Sequence, residues 1–124
     1  MISIVIPTFN EVKNIIPLIK NLIVLISDFE YEIIVVDDDS PDGTSEKVNK
    51  YMKLNKRIKL ITRIGRSGLS SAIKEGLIFA QGKYILVLDG DGQHHPSFVL
   101  DMLKVINKKN LILSLEVGFL THPN

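Results

Sequence analysis

The 124-residue chain contains no cysteine, so neither a disulfide framework nor a thiolate metal site is open to it. It has no excess of either charge: fifteen lysines and arginines stand against fourteen aspartates and glutamates, a formal net charge of +1, and no basic block stands out along the sequence. Nucleic acid is therefore not indicated as a partner. No apolar run reaches the roughly 20 residues that a membrane-crossing helix needs; the longest, Ile15 to Ile26, is interrupted by Pro17, Lys20 and Asn21. Ile2 to Ile6 is too short for a signal-peptide core and no basic region precedes it, so it is expected to be a strand of a mature, non-secreted protein. Two glycine-rich phosphate signatures are also missing. Where a dinucleotide fold places G-x-G-x-x-G, directly after the first strand, this chain has Pro7-Thr8-Phe9-Asn10-Glu11, and it has no P-loop. Neither a Rossmann dehydrogenase nor a P-loop kinase is therefore supported.

What is present is the composition of one globular domain: 45% hydrophobic, 23% charged, with positive mean hydropathy. One grammar occurs four times: a short apolar run, a polar turn, then a longer segment with helical spacing. The runs are Ile2–Ile6, Glu32–Val36, Ile58–Ile61 and Tyr84–Leu88, and the helices are expected near 11–27, 44–54, 68–81 and 96–108. Thr44 and Ser97 stand near helix starts, and Gly82 is expected to stop the third helix. Ile33 to Val36 lacks alternation, as a parallel strand covered on both faces should. The fold class predicted is therefore α/β: a Rossmann-like three-layer αβα sandwich with a mainly parallel sheet. Leu111 to Leu115 has the character of a fifth strand, while Glu116 to Asn124 carries no pattern.

In such sheets ligands sit beyond the carboxyl ends of the strands, so the turns there are read for chemistry first. Asp89-Gly90-Asp91 places two carboxylates at a strand end, an arrangement that a divalent cation would neutralise. Mg²⁺ or Mn²⁺ suits one or two carboxylates, with water and substrate phosphate completing the shell. Gln93 can add an amide oxygen, and His94 and His95 are within reach of the same turn. A solvated acidic turn is the bland alternative and the commoner meaning of a lone D-x-D. A calcium loop over 89–100 fails because its sixth and twelfth positions are His94 and Leu100, and zinc lacks further ligands, since the third histidine, His122, lies in the tail. Asp37-Asp38-Asp39 repel one another unless they meet donors such as a base amide or ribose hydroxyl, or simply water. Phe9 can stack on a base or pack on the sheet; Glu11 can accept from ribose or begin a helix. The small residues from Arg66 to Ala72 allow a close backbone approach, either to a phosphate or as a plain surface loop.

Taken together, four turns resemble the family 2 glycosyltransferases of the GT-A fold, most closely the dolichyl-phosphate or polyprenyl-phosphate mannosyltransferases. V-I-P-T-Y-N-E is matched by Val5 to Glu11, V-V-D-D-G-S-P-D-G-T by Val35 to Thr44, R-x-G-L-x-x-A by Arg66 to Ala72, and D-A-D-x-x-H-x-P by Asp89 to Pro96. Phe9 stands in place of the commoner Tyr, Asp39 in place of Gly, and Gly90 in place of Ala. The resemblance implies that Pro7, Phe9, Glu11, Val36 and Asp38 line a nucleoside pocket, that Gly90 and Asp91 lie against the donor, and that Asp89, Asp91 and Gln93 hold Mg²⁺ or Mn²⁺. Asp89 and Asp91 are the residues on which catalysis would rest.

The implied reaction transfers a hexose from a nucleotide sugar, GDP-mannose or UDP-glucose, to a polyprenyl phosphate. It would take place in the cytoplasm at the membrane face, through peripheral association, with oligomeric state left open. Residues 1–110 are read as the donor-binding, N-terminal portion of such a domain and 111–124 as an unplaced tail, which suggests a truncated or frame-altered product. A catalytically incomplete remnant that binds the donor without transfer is the competing expectation. A sugar-phosphate nucleotidyltransferase is disfavoured because it would want a glycine-rich, arginine-containing loop where Pro7 to Glu11 stands.

Overall fold

The computed structural model describes residues 1–92, 96–109, 113–116 and 119–121. The elements alternate along the chain: β1 (Ile2–Thr8), α1 (Ile15–Ile26), β2 (Tyr31–Asp37), α2 (Thr44–Met52), β3 (Ile58–Thr62), α3 (Leu69–Phe79), β4 (Tyr84–Val87), α4 (Pro96–Lys109), β5 (Leu113–Glu116) and β6 (Phe119–Thr121). They build one six-stranded sheet in the order β3-β2-β1-β4-β5-β6. Every neighbouring pair is parallel except β5 and β6, which are antiparallel. The mainly parallel αβα architecture expected from the sequence is the one observed.

The apolar runs are strands because helices cover both of their faces. Ile4, Ile6, Ile33, Val35 and Leu86 pack toward α1, α2 and α4, where Ile15, Leu18, Ile19, Leu22, Val48, Val99 and Leu103 complete a large core. Val5, Ile34, Val36 and Val87 point the other way and meet α3 through Ala72. Strands buried on both sides have no reason to alternate, which is why their sequences read as continuous apolar runs. On the α3 face the contact is backbone-close: a Cβ added at Gly76 would collide with a Val5 methyl and lie 3.2 Å from Val36 Cγ2. Ala72 and Gly76, one turn apart, let α3 settle directly on the sheet.

Three local readings are corrected. Helix α1 begins at Ile15, not at 11, because Glu11 to Asn14 form a turn in which the Glu11 carbonyl accepts from Asn14 N (3.0 Å) and Ile15 N (2.9 Å). Pro17 then falls in the first helical turn, where its missing N–H costs nothing. Helix α3 ends at Phe79, so Gly82 is not its stop; Gly82 instead donates its N–H to Ser3 Oγ (2.8 Å) where a Cβ would lie 2.7 Å from Ser3 N. Leu113–Glu116 is the fifth strand, and Phe119–Thr121, only three residues and too short for periodicity to register, is a sixth. Thr44 is the first residue of α2, but its hydroxyl does not cap that helix.

Candidate functional site

The carboxyl ends of β1, β2 and β3 meet in one row, Thr8, Asp37 and Thr62, set by the strand register. Asp37 is fully buried there and is satisfied by hydroxyls and one amide: Thr8 Oγ1 (2.7 Å), Ser40 Oγ (2.6 Å), Ser45 Oγ (2.9 Å) and Ser40 N (2.9 Å) donate to it. Ser45 Oγ also lies 2.9 Å from Thr62 Oγ1. The three consecutive carboxylates therefore divide their roles. Asp37 turns inward and ties β1, α2 and β3 together. Asp39 is exposed in the left-handed region, φ 53°, which is why glycine would be at ease at that position. Asp38 is left facing the cleft.

Asp42 closes the same loop. Its Oδ1 accepts from Thr44 N (3.0 Å) and Thr44 Oγ1 (2.5 Å), and its Oδ2 accepts from Val12 N (3.1 Å). Burial pushes its carboxyl up, but the hydrogen bonds from Thr44, Val12 and its own amide outweigh this and hold it below the usual range. Thr44 Oγ1 accepts from Glu11 N (3.1 Å) and Ser40 Oγ from Asn10 N (2.9 Å), so the loop after β2 holds the loop after β1 in place.

Between these loops, α3 and the end of β4 lies a cleft of about 220 Å³ lined by Pro7, Thr8, Phe9, Glu11, Asp38, Leu69, Ala72 and Asp89. It thus brings together residues 7, 9, 11, 38 and 89 of the expected set. Phe9 is 56% exposed, a free aromatic face at the cleft and not part of the core. Val36 is fully buried beneath α3, outside the cleft lining. Gly90 is buried against β1: a Cβ there would lie 2.8 Å from Thr8 Cγ2 and 3.2 Å from the Pro7 carbonyl oxygen. Of the two flanking carboxylates, Asp89 lines the cleft and Asp91 does not, though Asp91 N donates to Asp89 Oδ1 (3.1 Å). Gln93, His94, His95 and His122 lie outside the described residues. Among the described residues no group of three or more histidines, aspartates or glutamates converges as a metal site. Two carboxylates on a tight turn have the oxygen chemistry that suits a hard cation completing its shell from water and phosphate.

One residue of this region escaped the sequence reading. Arg63, directly after β3, has only 1% of its side chain exposed. Its Nη1 donates to the Gly68 carbonyl (3.2 Å) and its Nη2 to Ser71 Oγ (2.7 Å). Its Nε lies 2.7 Å from Glu75 Oε2 and 3.3 Å from Asp38 Oδ1. Asp38 Oδ2 in turn accepts from Gly68 N (2.9 Å). Arg63 therefore holds Asp38 and the start of α3 in a fixed relation across the cleft. Arg66, singled out from the sequence, is instead clamped by Glu75 (2.7 and 3.1 Å) at the surface. That guanidinium lowers the Glu75 carboxyl, against a smaller opposing effect of burial. An arginine following an apolar strand is the signal that was available, but nothing in the sequence distinguishes the buried arginine from the exposed one.

Comparison with known proteins agrees with this architecture. A sequence profile described as "Glycosyl transferase family 2" matches residues 3–117. The chain is 38% identical over 105 residues to a dolichol-phosphate mannosyltransferase of Pyrococcus furiosus, covering 85% of this chain and 30% of that protein. It is 36% identical over 100 residues to the Saccharomyces cerevisiae dolichol-phosphate mannosyltransferase, covering 78% and 38% respectively. The chain thus spans about a third of the length of these curated relatives. Among solved structures, Staphylococcus aureus TarS residues 1–349 in complex with UDP-GlcNAc superposes with a TM-score of 0.71 at 29% identity, over 90% of this chain and 32% of that one. A Pyrobaculum calidifontis mannosyltransferase, solved with GDP-Man and Mn²⁺, shares the fold with a TM-score of 0.65 at 23% identity, over 87% and 32%.

Proposed function

The chain belongs to glycosyl transferase family 2, and from that premise we propose that its cleft binds the nucleotide-diphosphate part of a sugar donor, as the first half of hexose transfer to a polyprenyl phosphate. The observation that carries this reading is the convergence of Phe9, Glu11, Asp38 and Asp89, from three different strand ends, on one cleft. Phe9 offers an aromatic face to a base. Glu11 and Asp38 offer carboxylate oxygens to ribose hydroxyls or a base N–H. Because Arg63 and Gly68 N hold Asp38, its acceptor geometry is set before ligand arrives, which lowers the ordering cost of binding. Asp89 and Asp91 would hold Mg²⁺ or Mn²⁺, with Gln93, two positions after Asp91, as a further oxygen ligand. Such a cation, when bound, supplies Lewis-acid neutralisation of the leaving diphosphate. A phosphate acceptor is already anionic and needs no base to remove a proton.

Supporting the lipid-phosphate acceptor are the two mannosyltransferase relatives. Among the described residues no helix is long and apolar enough to cross a membrane. Peripheral contact at the cytoplasmic face is the route to such an acceptor that this reading proposes. Calorimetric titration with GDP-mannose and with UDP-glucose, in Mn²⁺ and then in chelator, tests the donor reading. Binding of one nucleotide sugar that disappears in chelator is expected; no metal-dependent binding of either would overturn it. A radiolabelled-sugar assay with polyprenyl phosphate then separates transfer from donor binding without turnover.

A further inference from the structure

β3 is the outermost strand of the sheet, and among the described residues nothing pairs with its outer edge. Ile33 N donates to the Arg57 carbonyl (2.9 Å) and Arg63 N to the Asp37 carbonyl (2.8 Å), so the odd-numbered residues along β3 turn their backbone groups to β2. The even-numbered ones turn theirs outward. The Asn55 carbonyl takes up the Ile58 N–H (3.2 Å), which leaves the Ile58 carbonyl and both backbone groups of Leu60 and Thr62 along the open edge.

The two sides of this edge are lined differently. Against α2 lies a hollow of about 280 Å³ formed by Asn49, Met52, Lys53, Lys56, Ile58 and Lys59. Against α3, Ile61 is partly buried, and Phe79 is 49% exposed with its ring 6.0 Å from Lys59 Nζ. One side is cationic, the other apolar. The charge extends beyond the hollow: six basic and no acidic residues fall between positions 47 and 59, while the remainder of the chain has nine basic against fourteen acidic. Among the described residues only Lys59 of these six pairs with a carboxylate, Glu32 (2.7 Å).

Lysine beside an edge strand ordinarily blocks self-pairing. It does so here, since a second copy would set two such clusters against each other, and the occupant that fits carries the opposite charge. Single-stranded nucleic acid would meet the same cations and could stack one base on Phe79. Its phosphate backbone, however, brings no N–H to the outward carbonyls, and the neighbouring ring, Tyr31, is buried under Arg57 (4.7 Å). An extended peptide supplies both donors and acceptors to the edge, and its side chains alternate between the two linings.

We propose that the open edge of β3 takes an acidic, extended peptide segment as an added strand. Its carboxylates face the lysine-lined hollow beside α2, and its alternate, apolar side chains rest on Ile61 and Phe79 beside α3. The surface stands independently of the donor reading, and its assay contains neither nucleotide nor metal, so either can fail without the other.

The test is fluorescence anisotropy of a short labelled peptide that alternates glutamate with valine. Saturable binding is expected. Two further versions carry N-methyl groups on every glutamate amide or on every valine amide, with charge unchanged. In an added strand only one of these sets faces β3, so the two versions should differ about tenfold or more in affinity, the worth of a few hydrogen bonds. Lys53→Glu with Lys56→Glu should weaken the parent peptide about tenfold, whereas the same change at Lys20 and Lys83, away from the edge, should weaken it far less. Phe79→Ser should weaken it about fivefold with the charge unchanged. All five substituted residues are exposed, and circular dichroism checks the fold of each variant. The proposal is overturned if the wild-type chain does not bind the parent peptide, if the two methylated versions bind alike, or if the two lysine pairs have equal effects. It is also overturned if Phe79→Ser binds as wild type, or if oligouridine binds this edge more tightly than the peptide.

Discussion

Arg63→Met removes the cation that organises the cleft while keeping most of the side-chain volume. In the wild type the guanidinium is 1% exposed, donates to the Gly68 carbonyl and Ser71 Oγ, and lies within ion-pair distance of Asp38 and Glu75. Its Nε–H is not aligned as a hydrogen bond with either carboxylate, so part of its hold on Asp38 is purely electrostatic. The substitution leaves Asp38, 11% exposed, without its cation, and strips the Gly68 carbonyl of a donor. Removing one partner of a buried pair costs about 3–5 kcal/mol, and the partial exposure of the carboxylates argues for the lower end, about 3 kcal/mol. A domain of this size has about 5–15 kcal/mol in hand, so the variant should still fold. With a urea m-value of about 1.5 kcal/mol/M, the unfolding midpoint should fall by about 2 M. Adding Glu75→Gln to Arg63→Met should recover part of the loss, because it removes one of two carboxylates left facing each other, whereas Glu75→Gln alone should destabilise. A midpoint within about 0.5 M of wild type, or a double variant no better than Arg63→Met, would refute the view that Arg63 is the keystone of this wall.

Gly76→Ala should cost about 1–3 kcal/mol by thermal or urea unfolding, because the new methyl collides with Val5 and can be relieved only by lifting α3 off the sheet. Glu32 is buried at the far end of the α3 face, accepting from Ser3 Oγ (2.6 Å), Gln81 N (2.6 Å) and Lys59 Nζ (2.7 Å). Burial raises its carboxyl, but the hydrogen bonds from Lys59, Ser3 and Gln81 and the Lys59 charge prevail, so its folded pKa lies below the ordinary glutamate value of 4.5. A lowered folded pKa means that the stabilisation is fully present above the unfolded value and is lost as pH falls through the folded one. Urea midpoints should therefore decline below about pH 4.5, less steeply in Glu32→Gln; parallel profiles for the two proteins would contradict this.

Much of the fold was legible because its strands are covered on both faces. Ile33 to Val36 could be read as a buried parallel strand with no other information. What the sequence could not show was the direction in which each member of a polar cluster turns. Asp37, Asp38 and Asp39 are identical in chemistry, yet the first is buried among hydroxyls at 0% exposure, the second faces the cleft and the third stands in solvent at positive φ. The partners that decide this, Thr8, Ser45 and Gly68, are separated from the aspartates by up to about thirty positions and come together only through the register of β1 with β2 and the docking of α3. Arg63 and Arg66 show the same limit, since burial of one and not the other depends on the face of α3 that carries Ser71 and Glu75.

The central claim is that Asp89 and Asp91 at the end of β4 make donor binding depend on a divalent cation. The direct measurement is the affinity of the preferred nucleotide sugar, with Mn²⁺ and in chelator, for the wild type, Asp89→Asn and Asp91→Asn. Donor binding by the wild type should require Mn²⁺, and each variant should lose about 10–100-fold in Mn²⁺-supported affinity, at least what loss of an outer ligand partner costs a metal site. The urea midpoint of Asp89→Asn should stay level or rise, because a like charge has been removed. Variants that bind the donor as tightly as wild type, with the same response to chelator, would contradict the account.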